Sequence, residues 1–155
     1  EQALSGGYAQ LRELLATFRL TVQEANLQLA LEQVIDSLRS QTDMQMRVNS
    51  QLPSQSLNPQ QLVHLLQIVR EAALNAIKHS QGSTIEINAR TNAEGEYEIL
   101  IEDDGIGIPS LDEPEGHYGL NIMTERSNQL NAELHISRRA QGGTQVKITL
   151  PHTLF

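Results

Sequence analysis

Residues 58–79 read NPQQLVHLLQIVREAALNAIKH and predict a long helix with two different faces. Asn58 can cap the helix, Pro59 suits its first position and Gln61 its third, so the helix is expected to begin here. It should run to about His79, with Gly82 just past its end. One side of the helix is apolar and is expected to pack on a sheet. That side carries Leu62, Leu66, Val69, Ala73 and Ala76.

The opposite side of this helix is polar. At about 100° per residue, Glu71, Asn75, Lys78 and His79 fall within roughly a 100° arc. A solvated face is the simplest explanation of such a pattern. However, the Asn75 amide also offers a neutral oxygen, and Mg²⁺ takes few protein ligands of this kind when phosphates supply the others. The polar face is therefore a candidate binding site.

Strand signals follow the helix. Apolar residues alternate over 85–89 and 97–101 around a turn at 92–95, which predicts a β-hairpin. A glycine-rich loop over roughly 103–119 leads to a helix over about 119–130, which Asn131 can end in the left-handed conformation. The last two strands are expected around Leu134–Ile136 and Val146–Leu150, with a turn at Gly142–Gly143 between them.

The first part of the chain adds two helices and a strand. Apolar residues over 27–38 share one helical face, and alternation over 44–48 predicts a short strand. Over 4–22 the apolar spacing forms a narrow seam, which suits a coiled-coil or bundle partner, or a helix lying on its own domain. The predicted fold is therefore α+β: a two-layer sandwich with helices on one face of a mixed sheet, preceded by a helical stub.

Composition excludes several classes of function. The 155 residues suffice for one domain with its own core, and the absence of cysteine excludes disulfides and thiol catalysis. A net charge of −8 argues against nucleic-acid binding, which requires clustered cations. The apolar runs are too short to span a membrane. We therefore expect a soluble domain that contacts neither nucleic acid nor membrane.

Three glycine clusters carry the remaining signal: residues 103–109, 116–120 and 142–144. Each one taken alone is more typical of a turn than of a site. The spacing does not match the dinucleotide-binding pattern, because the glycines after the strand do not open a helix directly, and the P-loop lysine is absent.

Together with the long helix, these clusters match a known family. Residues 70–79, Asp103-x-Gly-x-Gly, the Gly119–Leu120 pair and Gly142–Gly143–Thr144 resemble, in this order, the ATP-binding domain of sensor histidine kinases. That domain belongs to the gyrase, heat-shock ATPase, histidine kinase and mismatch-repair superfamily. The resemblance covers about residues 24–151 and implies a Bergerat-type ATP-binding fold. It places the catalytic domain at 24–155 and a remnant of the dimerisation hairpin at 1–23.

Two further stretches narrow the resemblance. Residues 11–20 and 113–123 are similar to nitrate/nitrite sensor kinases, as is the short gap from Pro109 to Gly116. The resemblance implies transfer of the ATP γ-phosphoryl group to a histidine on the protein's own dimerisation domain, within a homodimer. It also implies a downstream response regulator, and a cytoplasmic domain of a protein of the bacterial inner membrane.

The family's base pocket can be carried over residue by residue. Asp103 would accept a hydrogen bond from the adenine amino group, where guanine would present an unfavourable carbonyl oxygen. Thr144 would support the same edge through water. Gly105 and Gly107 would let the chain pass close under the base, and Ile108 is expected to bind the nucleotide as well.

The family's phosphate site involves the helix and the glycine-rich loop. The resemblance implies that Asn75 binds Mg²⁺ bridging the phosphates and that Lys78 contacts a phosphate oxygen. Backbone N–H groups where the next helix begins would also bind phosphate. The residues of this segment are Gly116, His117, Gly119 and Leu120.

Two roles stay open at this point. Glu71 would activate water in hydrolytic relatives, whereas in kinases the corresponding acid organises the metal site. His79 would contact the nucleotide or be an ordinary polar helix residue. Glu71, Asn75 and Lys78 are the candidate catalytic residues.

A phosphoacceptor motif, a histidine followed directly by an acid, is missing from the sequence. The five histidines are followed by Leu65, Ser80, Tyr118, Ile136 and Thr153. The expectation is a catalytic domain that lacks its acceptor. The alternatives are a self-standing ATPase with Glu71 as general base, and a nucleotide-sensing interaction module without catalysis.

Overall fold

In the computed structural model, the described residues are 12, 26–53, 57–107 and 119–151. Within them the chain forms three α-helices and five strands. In chain order these are α1 (Leu27–Leu38), β1 (Gln45–Ser50), α2 (Pro59–Asn75), β2 (Thr84–Thr91), β3 (Tyr97–Asp103), α3 (Leu120–Gln129), β4 (Glu133–Arg138) and β5 (Thr144–Leu150). Apart from residue 12, the helix predicted over 4–22 lies outside the described residues, and so does most of the glycine-rich loop.

The five strands form one mixed sheet in the order β1-β2-β3-β5-β4. β1 runs parallel to β2, while the other neighbouring strands are antiparallel. The register places Ile87 between Val48 and Ile101, and Ile148 between Ile99 and Leu134. The predicted hairpin is confirmed as β2–β3, and β3 and β5 form the centre of the sheet together with β2.

One apolar core joins the sheet to the helices. Alternate residues of the strands, such as Ile85 and Ile148, are fully buried together with Leu31 of α1, Leu65 of α2 and Met123 of α3. The predicted α+β sandwich is confirmed. Within the part of the chain that the structure describes, no helix is long and apolar enough to cross a membrane.

Helix α2 begins where its sequence predicts. The Asn58 side chain accepts from the Gln61 backbone N–H at 2.8 Å, and the Gln61 side chain accepts from the Asn58 N–H at 2.9 Å. This reciprocal capping box satisfies two donors that the helix itself leaves unpaired. It fixes the residue at which α2 begins.

The other end of α2 differs from the prediction. The α-helix stops at Asn75 and continues as one π-helical turn over Ala76–Ser80. Gln81, with φ 58°, then ends the helix in the left-handed conformation, one residue before the Gly82 that was expected just past its end. Because a π turn is wider than an α turn, each of its residues advances by less than 100° around the axis. The projection at 100° per residue therefore applies only as far as Asn75.

Candidate functional site

A cleft lies between α2 with its π turn, the ends of β3 and β5, and the first turn of α3. It encloses about 640 Å³ of space, which includes open solvent at its mouth. Most of its wall is apolar and consists of Ala72, Ala76, Ile101, Ile106, Leu120, Met123, Ile136 and Val146. The polar side chains in the wall are Asn75, His79, Ser80, Glu102, Asp103 and Thr144. The cleft suits a flat apolar group with a polar edge.

Asp103 is the buried acid of this cleft. It is the last residue of β3 and only 7% exposed. Its Oδ1 atom accepts from the Gly105 N–H at 2.9 Å and from the Thr144 N–H at 3.3 Å. Both described hydrogen bonds to this carboxylate therefore end on the same oxygen, so the donors fix the plane of the group.

The charge state of Asp103 reflects opposing effects. Burial raises the pKa of its carboxyl above the ordinary 3.8, and the nearby Asp104 charge raises it further. The Gly105 and Thr144 N–H groups and the Arg139 guanidinium act in the other direction. The net pKa is raised, as is typical of acids in ligand sites, although structural acids can show such shifts too.

Asp104, next in the chain, has a structural role that sequence reasoning missed. Its carboxylate accepts from the Ser83 N–H at 2.8 Å, the Ser83 hydroxyl at 2.9 Å and the Thr84 N–H at 2.9 Å. These hydrogen bonds hold the pKa of Asp104 well below its usual value. Asp104 thus ties the end of β3 to the start of β2, while Asp103 faces the cleft. The sequence signal that could have indicated this role is the pair of adjacent acidic residues at the end of a predicted strand.

We expect Asp104→Asn to weaken the fold chiefly above pH 4. A lowered folded-state pKa means that the ionised carboxylate contributes its full stability above the ordinary value of 3.8, and loses it as the pH falls further. Urea midpoints of the parent and the variant should therefore differ most at pH 6, and the gap should begin to narrow as the pH falls from 4 towards 3. Ser83→Ala, which removes only the hydroxyl donor, should show a smaller gap. A gap that stays constant over this range would contradict the assignment.

The π turn decides which polar residues of the helix line the cleft. Asn75 lines it, and so does His79. Lys78 is exposed and lies outside the lining residues. The reduced rotation per residue brings His79 closer to the direction of Asn75 and turns Lys78 away from it. Of these two polar residues of the π turn, His79 therefore lines the cleft and Lys78 does not.

The side chain of Glu71, a residue of α2, lies against Gly119, which directly precedes α3. Gly119 precedes this helix with φ 64°, and a Cβ built there would lie 2.5 Å from the Glu71 Oε2 atom. A carboxylate is favourable beside a helix N-terminus, where unpaired N–H groups give a partial positive charge. Glu71 is outside the cleft lining, whereas the neighbouring Leu120 is part of it.

Two glycines in the motifs are required by close backbone contacts. A Cβ on Gly105 would collide with the Ser80 backbone, and one on Gly143, at φ 96°, would collide with the Asp103 carbonyl. These contacts hold the π turn and the β4–β5 turn against the two sides of Asp103. Gly107, with φ 83°, lies at the cleft wall. These glycines therefore allow the backbone to pack closely around Asp103.

Six of the nine predicted nucleotide-binding residues in the described ranges line the cleft, and Lys78, Gly105 and Gly119 do not. Those lining the cleft are Asn75, His79, Asp103, Gly107, Leu120 and Thr144. Ile108, Gly116 and His117 lie outside the described residues, so their predicted roles stay predictions. Besides Asp104, sequence reasoning missed Arg139, whose guanidinium reaches the Asp103 backbone.

The oxygen donors near the cleft suit a metal ion that is held mainly by oxygens of a bound small molecule. Asn75 provides an amide oxygen and Glu71 a carboxylate on the preceding turn of α2. Among the described ranges, no group of three or more His, Cys, Asp or Glu residues could hold a metal ion. One or two oxygens together with phosphates is the usual way in which proteins bind Mg²⁺.

Comparison with known families identifies this fold as that of an ATPase family. The model of the histidine kinase-, DNA gyrase B- and HSP90-like ATPases matches residues 60–154, more than half of the chain. The chain therefore belongs to this family, as the resemblance of its motifs predicted. Its sequence further identifies it as a histidine kinase-type ATPase domain close to the nitrate/nitrite sensors.

The curated relatives include two sensor proteins. The chain is 85% identical over its whole length to the "Sensor protein NarQ homolog" of Haemophilus influenzae, covering 27% of that protein. It is 49% identical over 96% of its length to the "Nitrate/nitrite sensor protein NarQ" of Escherichia coli, covering 26% of it. The chain thus spans about a quarter of the length of these relatives.

Solved structures show the same fold. The blue-light activated histidine kinase of Erythrobacter litoralis EL346 superposes with a TM-score of 0.73 at 24% identity, over 95% of this chain and 50% of that one. The ATP-binding domain of PrrB from Mycobacterium tuberculosis gives 0.56 at 22% identity, over 78% and 89%. These likenesses confirm the fold of the domain.

Proposed function

We propose that this chain is the catalytic domain of a nitrate/nitrite-type sensor histidine kinase, which transfers the ATP γ-phosphoryl group to a histidine on a dimerisation domain. The geometry of Asp103 carries the proposal: a buried carboxylate fixed by two N–H donors at the wall of an apolar cleft. The relatives named as sensor proteins support the signalling role. Residues 24–155 would form the catalytic domain, and 1–23 a remnant of the dimerisation hairpin.

Asp103 would recognise adenine through its second carboxylate oxygen, to which neither of the two N–H groups donates. With Oδ1 accepting from Gly105 and Thr144, Oδ2 of Asp103 would accept from the adenine amino group. The apolar wall would cover the faces of the ring. Guanine would present a carbonyl oxygen at this position, and two acceptors facing each other in a buried site are unfavourable.

Phosphates would lie towards Asn75 and the start of α3. The Asn75 oxygen would hold Mg²⁺, which when bound supplies positive charge to the phosphate oxygens. Lys78, exposed on the π turn, would reach an outer phosphate, and His79 would contact the nucleotide from the cleft wall. In a domain of net charge −8, the metal and this lysine matter because few other cations offset the phosphates. Gly116, His117 and Gly119 complete the proposed site.

Glu71 fits a supporting role better than that of a general base. Its carboxylate lies against Gly119 and outside the cleft lining. There it would hold the start of α3 and organise the metal site next to Asn75. Catalysis by the domain would then rest on positioning and on charge neutralisation, as is general for phosphoryl transfer.

The partners in this proposal belong to the longer protein. They are the dimerisation domain of the same homodimeric protein and a response regulator that receives the phosphoryl group. The domain itself would lie on the cytoplasmic side of the bacterial inner membrane and bind no nucleic acid.

Labelling experiments test the transfer. Alone with Mg²⁺-ATP, the 155 residues should bind nucleotide but gain no phosphohistidine, because none of their histidines precedes an acidic residue. Adding a dimerisation domain that contains the His-acid motif should produce acid-labile label on that domain, although weakly. Separate chains lack the effective concentration of a short linker, which is in the millimolar range.

The controls distinguish the three candidate functions. A dimerisation domain with its acceptor histidine replaced should stay unlabelled. Labelling of this chain at a rate independent of added acceptor would contradict the proposal. Phosphate release that is lost in Glu71→Ala would favour an ATPase, and ATP binding without transfer to any acceptor would favour a sensing module.

A further inference from the structure

Arg139 reaches from the turn between β4 and β5 to the end of β3, 36 residues earlier in the chain. Its Nη1 atom donates to the Asp103 carbonyl oxygen at 2.7 Å and lies 3.5 Å from the Gly142 carbonyl oxygen. Only 20% of its side chain is exposed. The guanidinium therefore joins the backbone of the nucleotide-facing acid to the turn that precedes Thr144.

The position of this guanidinium is itself fixed. The Glu102 Oε2 atom lies 3.7 Å from the Arg139 Nε atom and accepts from the Gln145 side chain at 2.8 Å. The Arg139 N–H also donates to the Gly143 carbonyl at 2.8 Å, and its carbonyl accepts from the Gly142 N–H at 3.1 Å. Backbone and side chain thus restrain the turn from both sides.

We propose that Arg139 is a positioning residue for nucleotide recognition, acting through Asp103 and without touching the nucleotide. By holding the β4–β5 turn on the end of β3, it keeps the Thr144 N–H on Oδ1 of Asp103 and so presents Oδ2 to the ligand. This inference rests on the proposed function, in which Asp103 accepts from adenine.

The charge of Arg139 should act on the same carboxylate. The charged and titratable groups around Asp103 are Asp104, Glu102, His79 and the guanidinium groups of Arg138 and Arg139. Arg139 lowers the pKa of Asp103, whereas burial and Asp104 raise it. Without Arg139, Glu102 would also lose its cationic partner. Asp103 should then take up a proton at higher pH, and the protonated acid is a poorer acceptor for adenine.

The test is ATP binding by Arg139→Gln and Arg139→Lys across pH 5–8, measured by calorimetry on this chain. Arg139→Gln should weaken binding about five- to tenfold at pH 7.5 and move the acidic loss of binding to higher pH. Arg139→Lys keeps the charge but lacks the second nitrogen arm, so it should restore most of the pH profile and only part of the affinity. If Arg139→Gln does not fold, the ATP affinity of Arg139→Lys tests the proposal instead.

Arg90→Gln is the matched control, because Arg90 also pairs with an acid of β3, Glu98 at 2.8 Å, but far from the cleft. It should bind ATP like the parent. Asp103→Asn separates the two proposals. If it still binds ATP normally, the proposed function fails. If it loses binding while both Arg139 variants keep the parental affinity and pH profile, the function stands and the inference about Arg139 is overturned.

Discussion

Asp103→Asn should lower the affinity for ATP about 10- to 100-fold without unfolding the domain, the change that corresponds to a mispaired buried polar group. Asparagine retains an Oδ1 atom that can accept from the Gly105 and Thr144 N–H groups. Its NH₂ group then replaces Oδ2 and faces the adenine amino group, donor against donor. Calorimetry with ATP gives the affinity, and an unchanged value in a folded variant would remove Asp103 from the base site.

Thermal unfolding of the same variant separates recognition from folding. The raised pKa of Asp103 means that the folded state favours its neutral form, so the ionised form costs stability as the pH rises above the ordinary value. Asp103→Asn should therefore unfold near neutral pH at the parental temperature or higher. Asp104→Asn is the matched comparison: it should keep most of the ATP affinity but lose stability. If Asp103→Asn loses both ATP affinity and thermal stability, Asp103 has a role in folding.

Local chemistry made much of the fold predictable. The capping pair of Asn58 and Gln61 sets the start of α2, and alternating apolar residues set β2 and β3. Asn131 follows α3 at φ 53°, as its position predicted. Each of these features depends on residues within a few positions of one another, so the sequence alone carries the signal.

Long-range contacts were harder to predict from the sequence. Nothing local places β1 parallel to β2 or inserts β5 between β3 and β4, because strand order depends on how the whole core is buried. The π turn after Asn75 has the composition of an ordinary helix, yet it decides that His79 rather than Lys78 lines the cleft. The hydrogen bond from Arg139 to Asp103 likewise exists only once the sheet has formed.

The family resemblance supplied what local patterns could not. An acid before a glycine cluster is an ordinary turn when taken alone, and a polar helix face is ordinarily solvated. The order of four motifs identified the cleft that Asp103 and Asn75 share in the structure. The same reasoning did not predict that Asp103 and Asp104 have different roles. These roles differ because Ser83 and Thr84 donate hydrogen bonds to Asp104 and not to Asp103.

Asn75→Ala should weaken binding of Mg²⁺-ATP about tenfold, but that of metal-free ATP by no more than about twofold, because the lost oxygen is a proposed ligand of the metal. Asn75 ends the α-helical part of α2 and lines the cleft. Calorimetric titrations with Mg²⁺ and with EDTA measure the two affinities.

Lys78→Ala provides the contrast for this measurement. Its exposed ammonium would act on phosphate charge directly, so its loss should weaken ATP with and without Mg²⁺, and the effect should shrink as salt screens the charge. The Asn75 effect should instead depend on the metal and persist in salt. Equal weakening of both ATP forms by Asn75→Ala would mean that this amide binds the nucleotide or the protein itself, and Mg²⁺ would then have to be held by other groups.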